Sequence, residues 1–170
     1  IVLVSALPSA QAAEECARAG VHVVVVNRDT DDLRATSVVC DHDRLGRRMA
    51  EAVVEAGYSR CALLRGDPGV ASGVVRTAAF KAALARLGTG SVVADRVNVM
   101  GYDAGRAAIR ELMSLATPPD VILCSSDLTA IGVVDGARID LGLAIPRNLG
   151  VIGFGDSPAA SWAAYDLATV

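Results

Sequence analysis

The chain holds 170 residues, 52% of them hydrophobic and 21% charged, with a mean hydropathy of +0.42. That is enough apolar material for one large domain or two small lobes, and it excludes wholesale disorder. Sixteen Lys and Arg against 19 Asp and Glu leave a net charge of −3, and no helix-turn-helix pattern or Lys/Arg cluster occurs, so these residues are not expected to bind DNA unaided.

Short β-branched runs alternate with helical-period segments from end to end, and Gly, Pro, Asp or Ser stands at nearly every switch. This predicts a parallel α/β fold. The first strand is expected near Ile1–Ser5; no basic region precedes it, so it does not resemble a signal peptide. Strands near Val21–Val26 and Ser37–Cys40 follow, with His22 opening the former and Asn27 at its carboxyl end. No apolar run approaches the roughly 18 residues that span a bilayer, and no membrane partner is expected.

After Asp41 the residues Leu45, Met49, Ala52, Val53 and Ala56 recur at helical spacing, and Gly57 closes the segment. His42 opens this helix, where a capping or surface role suits it. A strand near Arg60–Arg65 leads to Gly66, Gly69 and Gly73, and then to a helix striped by Val75, Ala79, Ala83 and Leu87. Next come a strand near Ser91–Val97, a helix carrying Ala108, Leu112 and Leu115, and a strand near Asp120–Cys124. Asp127 is expected to cap the following helix, whose stripe is Ala130, Val134, Ala137 and Leu141. The last strand is expected near Leu149–Phe154. Several strands are apolar at consecutive positions, as strands buried on both faces should be.

Cys16, Cys40, Cys61 and Cys124 form no C-x-x-C pair, so buried reduced thiols are expected rather than a zinc site or a disulfide framework. Neither glycine cluster, Gly66-Gly69-Gly73 or Gly150-Gly153-Gly155, spells a dinucleotide fingerprint or a P-loop, and the only lysine, Lys81, sits in mid-helix. No cofactor is expected. His22 and His42 are the only histidines and neither adjoins a nucleophile motif; Ser157, in Gly155-Asp156-Ser157-Pro158, lacks the glycine of a nucleophile elbow. The chain is therefore read as a non-enzyme, with no catalytic residues and no metal ligands.

What remains is a set of polar residues at strand carboxyl ends, where open parallel sheets collect ligands: Asn27, Ser72, Arg76, Ser125, Ser126, Asp127 and Asp156. Arg76 lies near the start of its helix, where the helix dipole does not call for a cation. Its guanidinium either offers fixed donors to hydroxyls or a carboxylate, or forms a surface or inter-lobe salt bridge.

Three ordered segments carry a resemblance. They are Asp127-Leu128-Thr129-Ala130-Ile131-Gly132, then Leu141-Gly142-Leu143-Ala144-Ile145-Pro146-Arg147-Asn148, then Val151-Ile152-Gly153-Phe154-Gly155-Asp156, with Tyr165-Asp166-Leu167-Ala168-Thr169-Val170 at the end. Upstream, Val39-Cys40-Asp41, Ala56-Gly57-Tyr58, Leu64-Arg65-Gly66-Asp67-Pro68 and Arg76-Thr77-Ala78-Ala79-Phe80 fit the same series. Over essentially its whole length the chain resembles the lac-repressor family of bacterial transcription regulators.

The resemblance implies parallel, doubly wound α/β sheets in a two-lobed, periplasmic-binding-protein-like architecture with an incomplete first lobe. Residues 1–40 would belong to the first lobe and 41–165 to the second, with 166–170 a crossover segment back to the first; the native polypeptide is expected to be longer at both ends. It implies a small-molecule effector, a sugar or related metabolite, in the inter-lobe cleft. Operator DNA would be bound only by a separate headpiece, and the protein would be a cytoplasmic homodimer. Arg76 matches the family's effector-clamping arginine, Ser72 a polar contact upstream of it, Ser126 a frequent Asn, and Asn27 a first-lobe polar contact. Met100 replaces an aromatic that stacks on the ligand. Gly155 replaces an aspartate that accepts from sugar hydroxyls, which leaves Asp156 and Asp127 as the nearest carboxylates. These two departures point to an effector more apolar or more anionic than a typical sugar. The alternative on the same fold is a periplasmic solute-binding protein of a transport system.

Overall fold

A computed structural model describes residues 1–4, 15–27 and 35–170. The end of the first expected strand, Ser5, lies outside the described residues. The chain divides into two compact units, Ile1–His42 and Asp43–Val170.

In the first unit, β1 (Val2–Val4), β2 (Val23–Val26) and β3 (Ala35–Val38) form a parallel sheet in the order β1-β2-β3. The central strand is four valines, of which Val23 and Val25 are buried, while Val2, Val4 and Val38 on the outer strands are exposed. β3 begins two residues before the expected Ser37 and stops at Val38. Its ladder with β2 runs from Val23–Ala35 to Val26–Val38 and ends where the partner strand ends. Asn27 leaves β2 with φ at 65° and donates its N–H to the Val38 carbonyl; asparagine tolerates that left-handed geometry better than a β-branched residue would.

The second unit is built on a parallel sheet in the order β5-β4-β6-β7. Its elements are α1 (His42–Glu55), β4 (Arg60–Leu64), α2 (Ala71–Leu87), β5 (Ser91–Arg96), α3 (Tyr102–Met113), β6 (Val121–Cys124), α4 (Asp127–Asp135) with a π-helical turn Gly136–Asp140, and β7 (Gly150–Ile152). The sheet is doubly wound, and the chain order explains it. From β4 the path steps outward to β5 and then returns across β4 to β6, so right-handed crossovers put α2 on one face and α3 on the other. The side chains record both faces. Ala62, Leu64, Ile122 and Cys124 pack with Ile109, Leu112, Val133 and Val134 of α3 and α4. Cys61, Leu63, Val121 and Leu123 pack with Met49, Val53, Phe80 and Leu84 of α1 and α2. The alternation follows the two-residue period of a strand, and the near-continuous burial of β4 and β6 is that of strands covered on both faces.

Several expected details change. In α2 the buried face is Ala79, Phe80, Ala83 and Leu84, whereas Val75 and Leu87 are exposed. In α4, Ser126 rather than Asp127 is the N-cap: its Oγ accepts from the Thr129 N–H at 3.3 Å, and Asp127 is the first helical residue. The π turn rotates the chain off the α-helical stripe, so Ala137 is buried but Leu141 is 37% exposed. β7 stops at Ile152, not Phe154, because the next backbone groups pair elsewhere: the Gly153 N–H donates to the Ala168 carbonyl and the Gly155 N–H to that of Val170. Cys61 and Cys124 are buried, but Cys16 is partly exposed and Cys40 exposed, contrary to four buried thiols.

Helices α3 and α4 cross at unusually short range. A Cβ on Gly132 would fall 2.0 Å from the Tyr102 carbonyl oxygen, and one on Gly105 2.2 Å from that of Thr129. Only glycine permits this approach.

Candidate ligand-binding site

The strand order reverses between β4 and β6, and in open parallel sheets ligands bind beyond the carboxyl ends of the strands at such a reversal. A cavity of about 50 Å3 lies there. Arg65 and Gly66 after β4, Val74, Arg76 and Thr77 on α2, and Ser125 after β6 border it; Met49, Leu63, Phe80 and Leu123 supply its apolar floor.

Arg76 differs from its neighbours in how its charge is met. Arg65 donates from Nε to Asp95 at 2.6 Å, and Lys81 reaches the same carboxylate at 2.5 Å. Desolvation pushes Asp95 up, but the hydrogen bonds and charges of Arg65 and Lys81 outweigh it and hold the carboxyl below its ordinary value. Arg96 pairs with Glu111, and Arg106 with Asp140. Arg76 is half-buried, and among the described residues no carboxylate pairs with it. Its guanidinium carbon instead lies 3.5 Å from the centroid of the Phe154 ring. Burial lowers its pKa, the signature of a cation partly removed from water. Stacking occupies the flat face of a guanidinium and leaves its rim of N–H donors for an acceptor.

Acceptors are scarce around it. Asp67 lines the cavity, but its Oδ1 accepts from the Gly69 N–H at 2.7 Å. Asp127 is 2% exposed; its Oδ2 accepts from the Ser157 N–H at 2.6 Å and its Oδ1 from the Thr169 hydroxyl at 2.5 Å. That carboxylate holds the chain terminus and faces no open space. The Cys124 thiol, also in the lining, is pushed far up by burial and by the charge of Asp127, so it is no nucleophile. Among the described residues no three His, Cys, Asp or Glu side chains gather as metal ligands.

The residues singled out from the sequence differ in how they stand to this cavity. Arg76 lines it. Ser72 lies one turn earlier on the same face of α2, half-buried. Met100 is 64% exposed, with its Sδ 3.4 Å from where a Cβ on Gly66 would stand. Ser126 follows Ser125 but spends its hydroxyl on the α4 cap and on Thr129 Oγ1 at 3.0 Å. Asp156 is exposed, has φ at 47° and is not part of the lining. Asn27 belongs to the first unit. Phe154, stacked on Arg76, is not evident as a site residue from the sequence; its one visible signal is an aromatic just past the last strand in a chain with two phenylalanines.

Parallel sheets, the second of them doubly wound, give the chain a fold of the periplasmic-binding-protein class. The periplasmic binding protein domain profile matches residues 1–162. "Probable HTH-type transcriptional repressor ExuR" of Bacillus subtilis is 30% identical over 87% of this chain and 44% of its own length. Catabolite control protein A of Priestia megaterium is 27% identical over 91% of the chain and 47% of its own length. A crystal structure of a LacI transcriptional regulator from a Rhodococcus species superposes with a TM-score of 0.86 at 22% identity, covering 99% of this chain and 62% of that one. The chain thus belongs to the periplasmic binding protein domain family. It spans about half the length of the curated relatives it matches.

Proposed function

We propose that the chain is the sensing part of a cytoplasmic, homodimeric bacterial transcription regulator. A small-molecule effector binds at the carboxyl edge of β4 and β6, is not chemically changed, and controls a DNA-binding headpiece that is a separate part of the whole protein. The observation that carries this reading is Arg76: a half-buried guanidinium with no acid partner among the described residues, aimed at by the geometry of a strand-order reversal. Ser72 and Met100 are its proposed companions. The regulator relatives support control of transcription as the output, and the acidic balance of the chain supports placing DNA contact in a separate headpiece.

The test is a thermal-shift screen of sugars, polyols, nucleosides and small organic acids against the chain. A ligand at 100 times its Kd should stabilise the fold by about 2.7 kcal/mol. Chromatography should return that ligand unchanged after prolonged incubation. Conversion to a product would contradict the proposal.

A further inference from the structure

We propose that the site selects a small organic anion, a carboxylate carried on an apolar body, over a neutral polyhydroxylated sugar. This rests on the reading of the β4–β6 cavity as the ligand site. A sugar ring presents many hydroxyls, each a donor as well as an acceptor, so a site built for it must supply acceptors beside its donors. Here donors dominate. Arg76 brings an unpaired guanidinium, and Ser125 brings a hydroxyl without a hydrogen-bond partner among the described residues. Two further cations, Arg65 and Lys81, share the single carboxylate of Asp95.

Among the described residues the acceptors that a sugar would need are few. Asp127 is closed off by Ser157 and Thr169, and Asp67 commits its Oδ1 to the Gly69 N–H, leaving its Oδ2 open at the exposed rim. Gly155 has no side chain, and its φ of 120° is one that other residues rarely adopt. A Cβ there would sit 3.8 Å from Asp127 Oδ2, so an added carboxylate would be both strained and repelled. Much of the remaining wall is apolar: Leu63, Val74 and Phe80 suit a hydrocarbon or aromatic ring and would leave ring hydroxyls unpaired. A carboxylate at the rim of Arg76 with its apolar part against those walls meets the guanidinium and the apolar surface together.

Titration calorimetry of the chain with matched probes decides it: benzoate against benzamide, 4-methylpentanoate against its amide, and glucose, galactose and ribose as neutral sugars. The expected result is binding of a carboxylate, with a loss of about 10- to 100-fold in its amide and in Arg76→Gln, the worth of one charge-assisted hydrogen bond. Arg76→Gln also loses its stacking on Phe154, so a urea melt of the ligand-free variant beside each titration separates a change in folding from the loss of affinity. Carboxylate binding indifferent to Arg76→Gln would overturn the proposal. A neutral sugar that binds through Arg76 while every carboxylate is inert would overturn the anion preference and leave the site standing. If no probe binds, the site and the preference fail together.

Discussion

At the scale of single residues, Asp127 shows how a side chain near a site can be structural. It opens α4, yet its two oxygens reach Ser157 and Thr169, the latter 42 positions along the chain. Asp127→Asn keeps the shape but turns one oxygen into a donor facing a donor, and should cost about 1–3 kcal/mol for a buried group left unsatisfied. Urea melts would measure it, and hydrogen exchange should rise at Ser157 and Gly155. Unchanged stability would mean that the clamp is idle. By residue type Asp127 suits a helix cap, but its carboxylate is taken by Ser157 and Thr169, distant partners that no local pattern reveals, and Ser126 caps α4 instead. Arg76 was legible for the opposite reason: an arginine after a strand and near a helix start stands out by residue type and place alone.

At the scale of elements, the glycine contact between α3 and α4 sets their spacing. Gly132→Ala would press a methyl group into the Tyr102 carbonyl and should destabilise the fold by roughly 1–3 kcal/mol. Gly73→Ala on α2 meets nothing within 4 Å and should be neutral or gain about 0.5–1 kcal/mol in helix propensity. Equal melting temperatures for the two variants would contradict the close-packing account. The strands and helices of the second unit were readable because each buries a stripe at its own period. Their ends were not. β3 and β7 are cut by the reach of their partners, and Leu141 leaves its stripe at a π turn, a change of hydrogen-bonding that apolar spacing does not encode.

At the scale of the whole chain, the alternation of elements gave the parallel fold, whereas the strand order, and with it the reversal that locates the cavity, came from the three-dimensional arrangement. Polar candidates could be named from the sequence, but the apolar floor of Met49, Leu63, Phe80 and Leu123 reads there as ordinary core, since burial and ligand contact ask for the same residue types. The central claim is that this carboxyl edge binds a small molecule and leaves it unchanged. Amide chemical-shift mapping of the isotope-labelled chain with the tightest ligand from the screen tests it most directly. The account predicts perturbations concentrated at Arg65–Asp67, Gly73–Thr77 and Cys124–Ser126, with the ligand's own signals constant in time. Perturbations centred instead on the Arg106–Asp140 ion pair, away from that edge, or ligand signals giving way to those of a product, would contradict it.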